Sequence, residues 1–310
     1  MLGPFHEGEH YVQERAGERD AATRNGGLIG DSIPQRAIPF LAQQRMLAVG
    51  TVDEHGAPAA SLLFGAHGMV SSADGQSVAI DRSRIDVNVD DPIWSNLRIG
   101  ADVGLLAIEL ATRRRLRING VVSGLDTQRI DVAVRQAYPN CPKYIQRRHL
   151  RDAPGVHPAE TRARAIGNAL DDTRSRRVEQ ADTLFVASRH PTRGVDVSHR
   201  GGEPGFVRIV DLKRLRIPDY PGNGMFNTLG NFAVDHRASL VFLDFDDRSL
   251  LQMTGTVDVH FDEAEDPRYP TGGSGRYWDF HVTHWLALPI AASLEWELLD
   301  ASPYNPRALD

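Results

Sequence analysis

Residues 198–207 of this chain read SHRGGEPGFV, and residues 61–70 read SLLFGAHGMV. Both stretches fit the pattern Ser-x-x-x-Gly-x-x-Gly-(Met/Phe)-Val, so Ser61 is the counterpart of Ser198. A second match, at a slightly shorter spacing, pairs Leu105 with Leu240 and Gly120 with Gly255. A loop shortened by two residues accounts for this change, because loops tolerate deletions. Self-similarity at this length predicts two copies of a whole domain.

The composition sets the class of protein. A chain of 310 residues has room for two domains, and 41% hydrophobic with 25% charged residues is typical of a globular protein. A net charge of −6 argues against a general nucleic-acid binder. The single cysteine excludes an internal disulfide and favours a reducing compartment. Because no apolar run reaches about 20 residues and the region around Glu7 and Glu9 lacks the apolar core of a signal peptide, we expect a cytoplasmic protein with no membrane partner.

The two halves predict the same succession of elements. After an N-terminal arm (1–30), we expect a first domain over 31–148, a charged connector over 149–171 and a second domain over 172–310. Strands joined by short turns, with few helices, favour small antiparallel barrels over βαβ units. The sequence therefore predicts a mainly β fold with short helices, of the α+β class. The predicted strands are 46–52, 57–64, 77–80, 103–110 and 115–122, then 183–188, 196–199, 206–210, 215–218, 238–245, 250–258 and one or two over 279–299; the predicted helices are 34–44 (capped by Ser32), 93–97, 172–180 and 226–234.

The second copy of the repeated stretch carries residue types that suit an anion. Its glycines let backbone N–H groups approach a phosphate, and Arg200 and Arg208 supply positive charge. Asn227 and Thr228 stand at the start of a predicted helix, where free N–H groups favour phosphate. The alternative is an ordinary glycine-rich turn beside an N-cap residue. Since the first copy has Leu-Leu-Phe where the second has His-Arg-Gly, the pattern indicates one retained site and one lost or altered site.

Other candidate residues are less specific. Strand alternation would place Arg113, Arg115 and Arg117 on one face, which is either solvated or reaches the ligand of the other domain. Cys141 is the only cysteine, and a lone cysteine is more often a buried small residue than a nucleophile. The sequence contains no metal-binding His-Glu-x-x-His, no P-loop, and no dinucleotide-binding glycine motif after a strand.

These motifs resemble the FMN-binding split-barrel family related to pyridoxamine 5′-phosphate oxidase. The resemblance is carried by residues 196–202 (DVSHRGG), 204–207 (PGFV) and 226–231 (FNTLGN). Residues 5–9 (FHEGE), 138–146 (YPNCPKYIQ) and 302–306 (SPYNP) resemble the two-domain members more narrowly. The resemblance implies two tandem split β-barrels that form a pseudo-dimer within one chain, with FMN between them. Vitamin B6 oxidation is not expected, because the C-terminal Arg/His pattern of the oxidase is absent.

The resemblance also implies a set of cofactor-binding residues. Residues 226–228 fall where the phosphate loop of the family lies, but Asn227 and Thr228 replace its Arg and Lys. The phosphate charge would then be balanced by other cations. We predict no metal ligand and identify no catalytic residue. The predicted cofactor-binding residues are Ser198, His199, Arg200, Gly201, Arg208, Asn227, Thr228, Asn231, Lys143, Arg115 and Arg117.

Three functions follow from this site. The first is an FMN-dependent oxidoreductase that acts on an unidentified small organic substrate or on O₂, with the flavin performing the redox chemistry. The second is a non-catalytic flavin- or haem-binding module, with His199 or His67 as the haem ligand. The third is a reductase that uses the deazaflavin F420. The chain would act as a monomeric pseudo-dimer or as a homodimer, and the number of cofactor sites stays open.

Overall fold

The structure is a computed structural model of the chain, and it describes residues 3–153 and 164–307. The described residues form two large antiparallel sheets, one from each half, and a two-stranded ribbon. Neither large sheet closes on itself within these residues. The prediction of a mainly β fold with short helices is thus confirmed. Residues 154–163 of the predicted connector lie outside the described residues.

The first sheet contains seven strands, all paired antiparallel to their neighbours. Every strand predicted in this half is present, with small shifts of its ends. The last and longest hairpin was only half predicted, since its second strand (β7) was not predicted. The strands are β1 (Met46–Val52), β2 (Pro58–Phe64), β3 (Val70–Ser71), β4 (Ser77–Asp81), β5 (Asp102–Glu109), β6 (Arg114–Leu125) and β7 (Arg129–Pro139), in the order β2-β1-β5-β6-β7-β4-β3.

The second sheet repeats this strand order. Its seven main strands follow one another across the sheet as their counterparts do in the first, and an eighth, short strand pairs outside this path. Gly68 and Gly205, equivalent in the repeated pattern, both adopt left-handed backbone with φ of 81° and 88°. The strands are β8 (Arg147–Asp152), β9 (Ala165–Gly167), β10 (Thr183–His190), β11 (Gly194–Gly201), β12 (Arg208–Asp211), β13 (Arg214–Pro218), β14 (Arg237–Asp244), β15 (Ser249–His260), β16 (Tyr277–Pro289) and β17 (Leu294–Asp300); the order is β11-β10-β14-β15-β16-β13-β12, β9 pairs with β16, and β8 pairs with β17.

The helices are few and short. The predicted helix over 34–44 is instead a 3-10 turn followed by five α-helical residues, and Ser32 does not cap it. The segment predicted as an arm contains two helices, of which the first packs on the last helix of the chain. No helix among the described residues is long and apolar enough to cross a membrane. The helices are α1 (Glu7–Arg15), α2 (Arg19–Gly26), α3 (Ile38–Ala42), α4 (Ile93–Asn96), α5 (Asp172–Gln180) and α6 (Asn227–Val234); the 3-10 turns are Gln35–Ala37, Arg82–Arg84 and Leu110–Thr112.

Strand alternation divides the hydrophobic residues among three main clusters. In β1, Leu47 and Val49 point into the core of the first half, while Ala48 points the other way. Ala48 joins a third cluster that contains side chains from both halves, among them Phe185 and Val197. The two sheets are therefore packed face to face through a shared apolar layer, and the edges of this layer are where residues from both halves can meet.

Candidate anion-binding site between the sheets

A cavity of about 110 Å³ lies between the two halves, beside the start of α6. We call it the inter-sheet cavity. Strand β11 and the start of α6 come from the second half, and β6 and the loop after β7 come from the first. The cavity brings together nine of the eleven predicted site residues. These nine are Arg115, Arg117, Lys143, Ser198, His199, Arg200, Gly201, Asn227 and Thr228.

Two hydroxyl groups form the floor of the site. Alternation along β11 turns Val197 into the apolar layer and Ser198 to the opposite face. The Ser198 Oγ lies 2.8 Å from the Thr228 Oγ1, and both side chains are buried. A Thr or Ser hydroxyl has one donor and two acceptor positions, so this pair keeps donor capacity for a ligand.

The start of α6 is also built for an anion. Its N-cap residue, Phe226, has a left-handed backbone (φ 57°), and no side chain caps the helix. A bulky residue at positive φ is strained, and such strain often lies at a functional site. The N–H groups of the first helical turn have no partner inside the helix and carry the positive end of its dipole. Because Phe226, Asn227 and Thr228 all line the cavity, this end of α6 favours negative charge there.

Arg117 connects the two halves at the site. From β6 of the first half, its Nη1 lies 3.1 Å from Asp196 Oδ2, 3.1 Å from Asn227 Oδ1 and 3.2 Å from the Tyr138 hydroxyl. Burial opposes the charged guanidinium, but the combined effect of Asp196, Tyr138 and Glu9 outweighs it and raises the pKa of Arg117. Its Nε is buried without a hydrogen-bond partner. The guanidinium is thus held in place with donor capacity left over.

Positive charge exceeds negative charge in the cavity wall. Arg115 forms no ion pair with any described residue, and burial, together with repulsion from Arg117, lowers its pKa to about 9. Arg200 is paired with Asp219 at 3.1 Å, but Asp219 also binds Arg276 at 3.1 Å. Burial lowers the pKa of Arg200 too. A bound anion would relieve both the desolvation and the mutual repulsion of these cations.

His199 is the third polar side chain of β11 at the cavity. It is buried, and neither ring nitrogen has a hydrogen-bond partner in the described part of the chain. Burial and the charges of Arg115 and Arg200 hold its pKa well below the ordinary value, so the ring is neutral at pH 7. A neutral imidazole has one N–H donor and one acceptor, and both remain free for a ligand here. The other predicted histidine, His67, is exposed and bonds the Gln43 carbonyl at 2.9 Å, outside the cavity wall.

Two arginines and one asparagine lie in other places than the sequence predicted. Arg113 does not share a face with Arg115 and Arg117, because it lies in a left-handed turn before β6 (φ 56°) and its Nε donates to the Ile145 carbonyl at 2.8 Å. Arg208 lies outside the inter-sheet cavity, 4.4 Å above the ring of Tyr269. Asn231 also lies outside the wall, where its Nδ2 donates to the Ser188 hydroxyl at 2.9 Å.

Two acidic residues that were not among the predicted site residues support the site. Asp196 lies two residues before Ser198, so strand alternation alone could have placed it on the same face. Glu9 has no such signal, because it comes from α1. Glu9 accepts hydrogen bonds from the His6 N–H at 2.8 Å and from the Asn227 side chain, and burial raises its pKa to about 7.

The equivalent place in the first half is closed. Ser61 is the counterpart of Ser198 in the repeat, and Asp91 is the counterpart of Thr228 at the same spacing. The Ser61 hydroxyl donates to the Asp91 carboxylate. Gln252 is the counterpart of Arg117 at the shorter spacing of the strand pair, and it donates to Ser61 Oγ at 2.9 Å and to Asp91 Oδ2 at 3.0 Å. A buried carboxylate therefore occupies the position that Thr228 leaves open in the second half.

The leucines of the first copy reinforce this closure. Leu62 and Leu63 stand where the second copy has His199 and Arg200, and each is buried in a hydrophobic cluster. They can offer neither charge nor hydrogen bonds to a ligand. Of the two copies of the repeat, only the second therefore places polar side chains at this position.

A separate group of His6, Glu7 and His190 lies close enough together to hold a metal. However, His6 Nδ1 accepts from the Gly8 N–H at 3.2 Å, and its Nε2 lies 3.0 Å from Asn231 Oδ1. His190 Nδ1 likewise accepts from the Thr192 N–H at 3.2 Å, and its Nε2 lies 3.0 Å from the Glu7 carboxylate. Each of the four ring nitrogens thus already has a hydrogen-bond partner, and the contacts of His6 with Asn231 and of His190 with Glu7 tie the N-terminal segment to the second half.

Comparison with known proteins gives only distant similarities. No protein-family model matches the chain, and no curated protein matches it. Among solved structures, HupZ of Group A Streptococcus is 11% identical over 43% of this chain and 98% of its own, with a TM-score of 0.30. A putative pyridoxamine 5′-phosphate oxidase of Lactobacillus delbrueckii is 12% identical over 35% and 95%, with a TM-score of 0.28. An F420 reductase is 15% identical over 34% and 95%, with a TM-score of 0.23. At this distance the function has to be inferred from the site itself.

Proposed function

We propose that the chain binds FMN with its phosphate in the inter-sheet cavity and acts as a flavin-dependent oxidoreductase on a small organic substrate or O₂. The observation that carries the proposal is the excess of partly or fully buried cations with unused donors at an uncapped helix start. Arg115 has no carboxylate partner among the described residues, and the Nε atoms of Arg115, Arg117 and Arg200 are all buried without a hydrogen bond. Leaving such groups unpaired is costly, and a phosphate dianion would satisfy them.

The residues present fit the phosphate end of FMN. The volume of about 110 Å³ is below the roughly 300–1,000 Å³ of pockets that enclose a whole drug-sized ligand. The phosphate would therefore lie in the cavity and the flavin ring at its mouth. Phe206, Tyr144 and Tyr220 form part of the wall and supply aromatic faces for a planar ring. When bound, FMN supplies the redox chemistry through hydride transfer at its N5.

Each residue at the cavity would have a distinct role in binding the phosphate. Arg115, Arg117 and Arg200 would neutralise the phosphate, while the Ser198–Thr228 pair would donate its one remaining hydroxyl hydrogen to it. His199, neutral at pH 7, would donate one hydrogen bond without adding charge. Asp196 would hold the Arg117 guanidinium in position, which limits the conformational entropy lost on binding.

The arrangement of the site also supports a pseudo-dimer within one chain. Each sheet would be one copy of the split barrel, over 31–148 and 172–310, with the connector at 149–171. The same strand order in both sheets and the matching positions of the two serines in the repeat support this reading. The ligand would lie between the copies, because Arg117 comes from one and Ser198 from the other.

The test is to purify the full chain and to record the absorption spectrum and mass of any ligand that co-purifies. The apoprotein is then titrated with FMN, and riboflavin serves as the matched control because it lacks only the phosphate. We expect saturable FMN binding and at least 100-fold weaker riboflavin binding. Equal affinity for both would contradict a phosphate site in the cavity, and a colourless protein that takes up no FMN would overturn the proposal. Parallel titration with F420 separates the two flavin-type cofactors.

One observation favours a second candidate, a haem-binding module. His199 is a buried histidine at the cavity with both nitrogens unpartnered in the described residues, and a neutral imidazole is a common haem ligand. Addition of haem would then produce a Soret band that disappears in His199→Ala and persists in His67→Ala. Absence of the band in the wild-type chain excludes this candidate.

A further inference from the structure

A second cavity, of about 230 Å³, lies next to the inter-sheet cavity. We call it the tyrosine pocket. It is formed by the hairpin of β12 and β13, the glycine loop before this hairpin and the loop before β16. Its wall contains Phe206, Tyr220, Tyr269 and Tyr277 together with Arg208, Arg216 and Arg268.

The tyrosine pocket combines aromatic faces with guanidinium groups. Arg208 lies 4.4 Å above the ring centroid of Tyr269, and Arg216 lies 4.0 Å above that of Tyr277. The ring of His260 also stacks on Tyr277, with 4.6 Å between the ring centroids, so the faces of Tyr277 are covered by the protein itself. Aromatic side chains with cations beside them are suited to a flat ligand that carries negative charge.

Only one of the three arginines is free to bind such a charge. Arg216 binds Asp279 through two hydrogen bonds of 2.8 and 2.9 Å, and Arg268 pairs with Asp266 at 3.2 Å. The Arg208 side chain forms no hydrogen bond and no ion pair with any residue that the structure describes, although its charge contributes to the lowered pKa of the neighbouring Asp266. The acid of the wall, Glu203, accepts a hydrogen bond of 2.8 Å from the Asn305 side chain. Arg208 is therefore the cation of the pocket that has no carboxylate bonded to it.

The two cavities share a wall. Phe206, Pro218 and Tyr220 line both of them. Gly202 allows this arrangement, because a Cβ at residue 202 would lie 2.6 Å from the Phe206 Cβ. A ligand in the tyrosine pocket would thus be separated from the inter-sheet cavity by no more than these side chains.

We propose that the tyrosine pocket binds a small planar molecule with one anionic group, a carboxylate or a phosphate. The planar part lies among the aromatic side chains of the wall, and the anionic group binds Arg208. Arg208, the one arginine of the predicted site that does not line the inter-sheet cavity, thereby has a binding role. That this molecule is the substrate of the flavin rests on the proposed function; that it binds does not.

The test is a calorimetric titration of the full chain, free of flavin, with benzoate, phenyl phosphate and benzyl alcohol. We expect saturable binding of benzoate or phenyl phosphate, and the tighter of the two identifies the anionic group. Benzyl alcohol, which keeps the ring but lacks the charge, should bind at least 10-fold more weakly. No saturable binding of either anion, or equal binding of the alcohol, would overturn the proposal.

Matched variants locate the binding. Arg208→Gln should weaken the better anion at least 10-fold, whereas Arg214→Gln, on the same hairpin but outside the pocket, should leave its affinity unchanged. Tyr269→Leu should weaken it several-fold and Tyr269→Phe should not. Thermal melting confirms that each variant is folded. Unchanged affinity in folded Arg208→Gln would refute the site. If FMN fails to bind but the anion still does, the pocket stands and only its role as a substrate site is lost.

Discussion

The two equivalent positions at the contact between the halves differ in one decisive way. In the second half, Ser198 faces Thr228 and the guanidinium of Arg117. In the first half, Ser61 faces the carboxylate of Asp91 and the amide of Gln252. Each site takes its serine from one half and its long polar side chain from the other.

The difference shows how one scaffold can keep a site or close it. The first position supplies its own anion, and the hydrogen-bond donors around it are used up by the Asp91 carboxylate. The second position has donors and cations but no internal anion among the described residues at its centre. We infer that two or three side chains, and not the backbone, decide whether the position accepts a phosphate. The following predictions test this comparison by exchanging those side chains.

Thr228→Asp has the largest expected effect, because it gives the second site the carboxylate of the first. Two like charges about 4 Å apart repel by ~4 kcal/mol at an effective dielectric constant of 20. We therefore expect FMN affinity to fall at least 100-fold in a titration followed by flavin fluorescence. Thr228→Ser, which keeps the hydroxyl, is the control and should bind almost as the wild type does. Wild-type affinity in a folded Thr228→Asp chain would place the phosphate elsewhere.

Arg117→Gln gives the second site the glutamine that Gln252 supplies to the first. It removes a charged donor from the ligand, worth about 1.5–3 kcal/mol of binding, and leaves Asp196 buried without its partner, which costs ~3–5 kcal/mol of stability. Both FMN affinity and the free energy of unfolding should fall. The double variant with Asp196→Asn removes both charges, so it should regain stability in urea but not affinity. If affinity returned with stability, Arg117 would serve only to neutralise Asp196.

Strand and helix periodicity made part of this site predictable. Alternation placed Arg115 and Arg117 on one face, because β6 is regular over these residues, and the repeated glycine-rich stretch indicated Ser198. Alternation failed for Arg113, where the chain turns through a left-handed residue just before β6. Periodicity gave no signal for Glu9 either. Helix α1 is polar, and Glu9 is buried only because α1 packs on α6, a contact that the local sequence does not indicate. Asp91 and Thr228 are equivalent at the 137-residue spacing of the repeat, but both lie outside the Ser-x-x-x-Gly-x-x-Gly pattern that revealed the repeat.

Removing single hydrogen bonds should have a smaller effect than changing charge. Thr228→Ala and Asn227→Ala should each weaken FMN by about 1–3 kcal/mol, the usual cost of losing a hydrogen bond to a charged group. Riboflavin affinity should not change in Thr228→Ala, because the lost bond serves the phosphate. Ser61→Ala, which also removes a buried hydroxyl but in the first half, is the control and should leave FMN affinity as it is. Unchanged FMN affinity in both second-half variants would show that α6 does not contact the phosphate.

Asp91→Asn has the smallest expected effect and tests the closed site. Burial raises the pKa of Asp91, although hydrogen bonds from Ser61, Ile93 and Gln252 oppose this. An acid whose pKa is raised by folding binds its proton more tightly in the folded chain, so its contribution to stability is lost as the pH rises through that pKa. The stability of Asp91→Asn relative to the wild type should therefore rise with pH above about pH 4, the ordinary pKa of an aspartate. Urea unfolding at several pH values measures this slope, and calorimetry should still give one FMN per chain. A second FMN bound to Asp91→Asn would show that a single carboxylate, without the leucines and Gln252, had kept the first site closed.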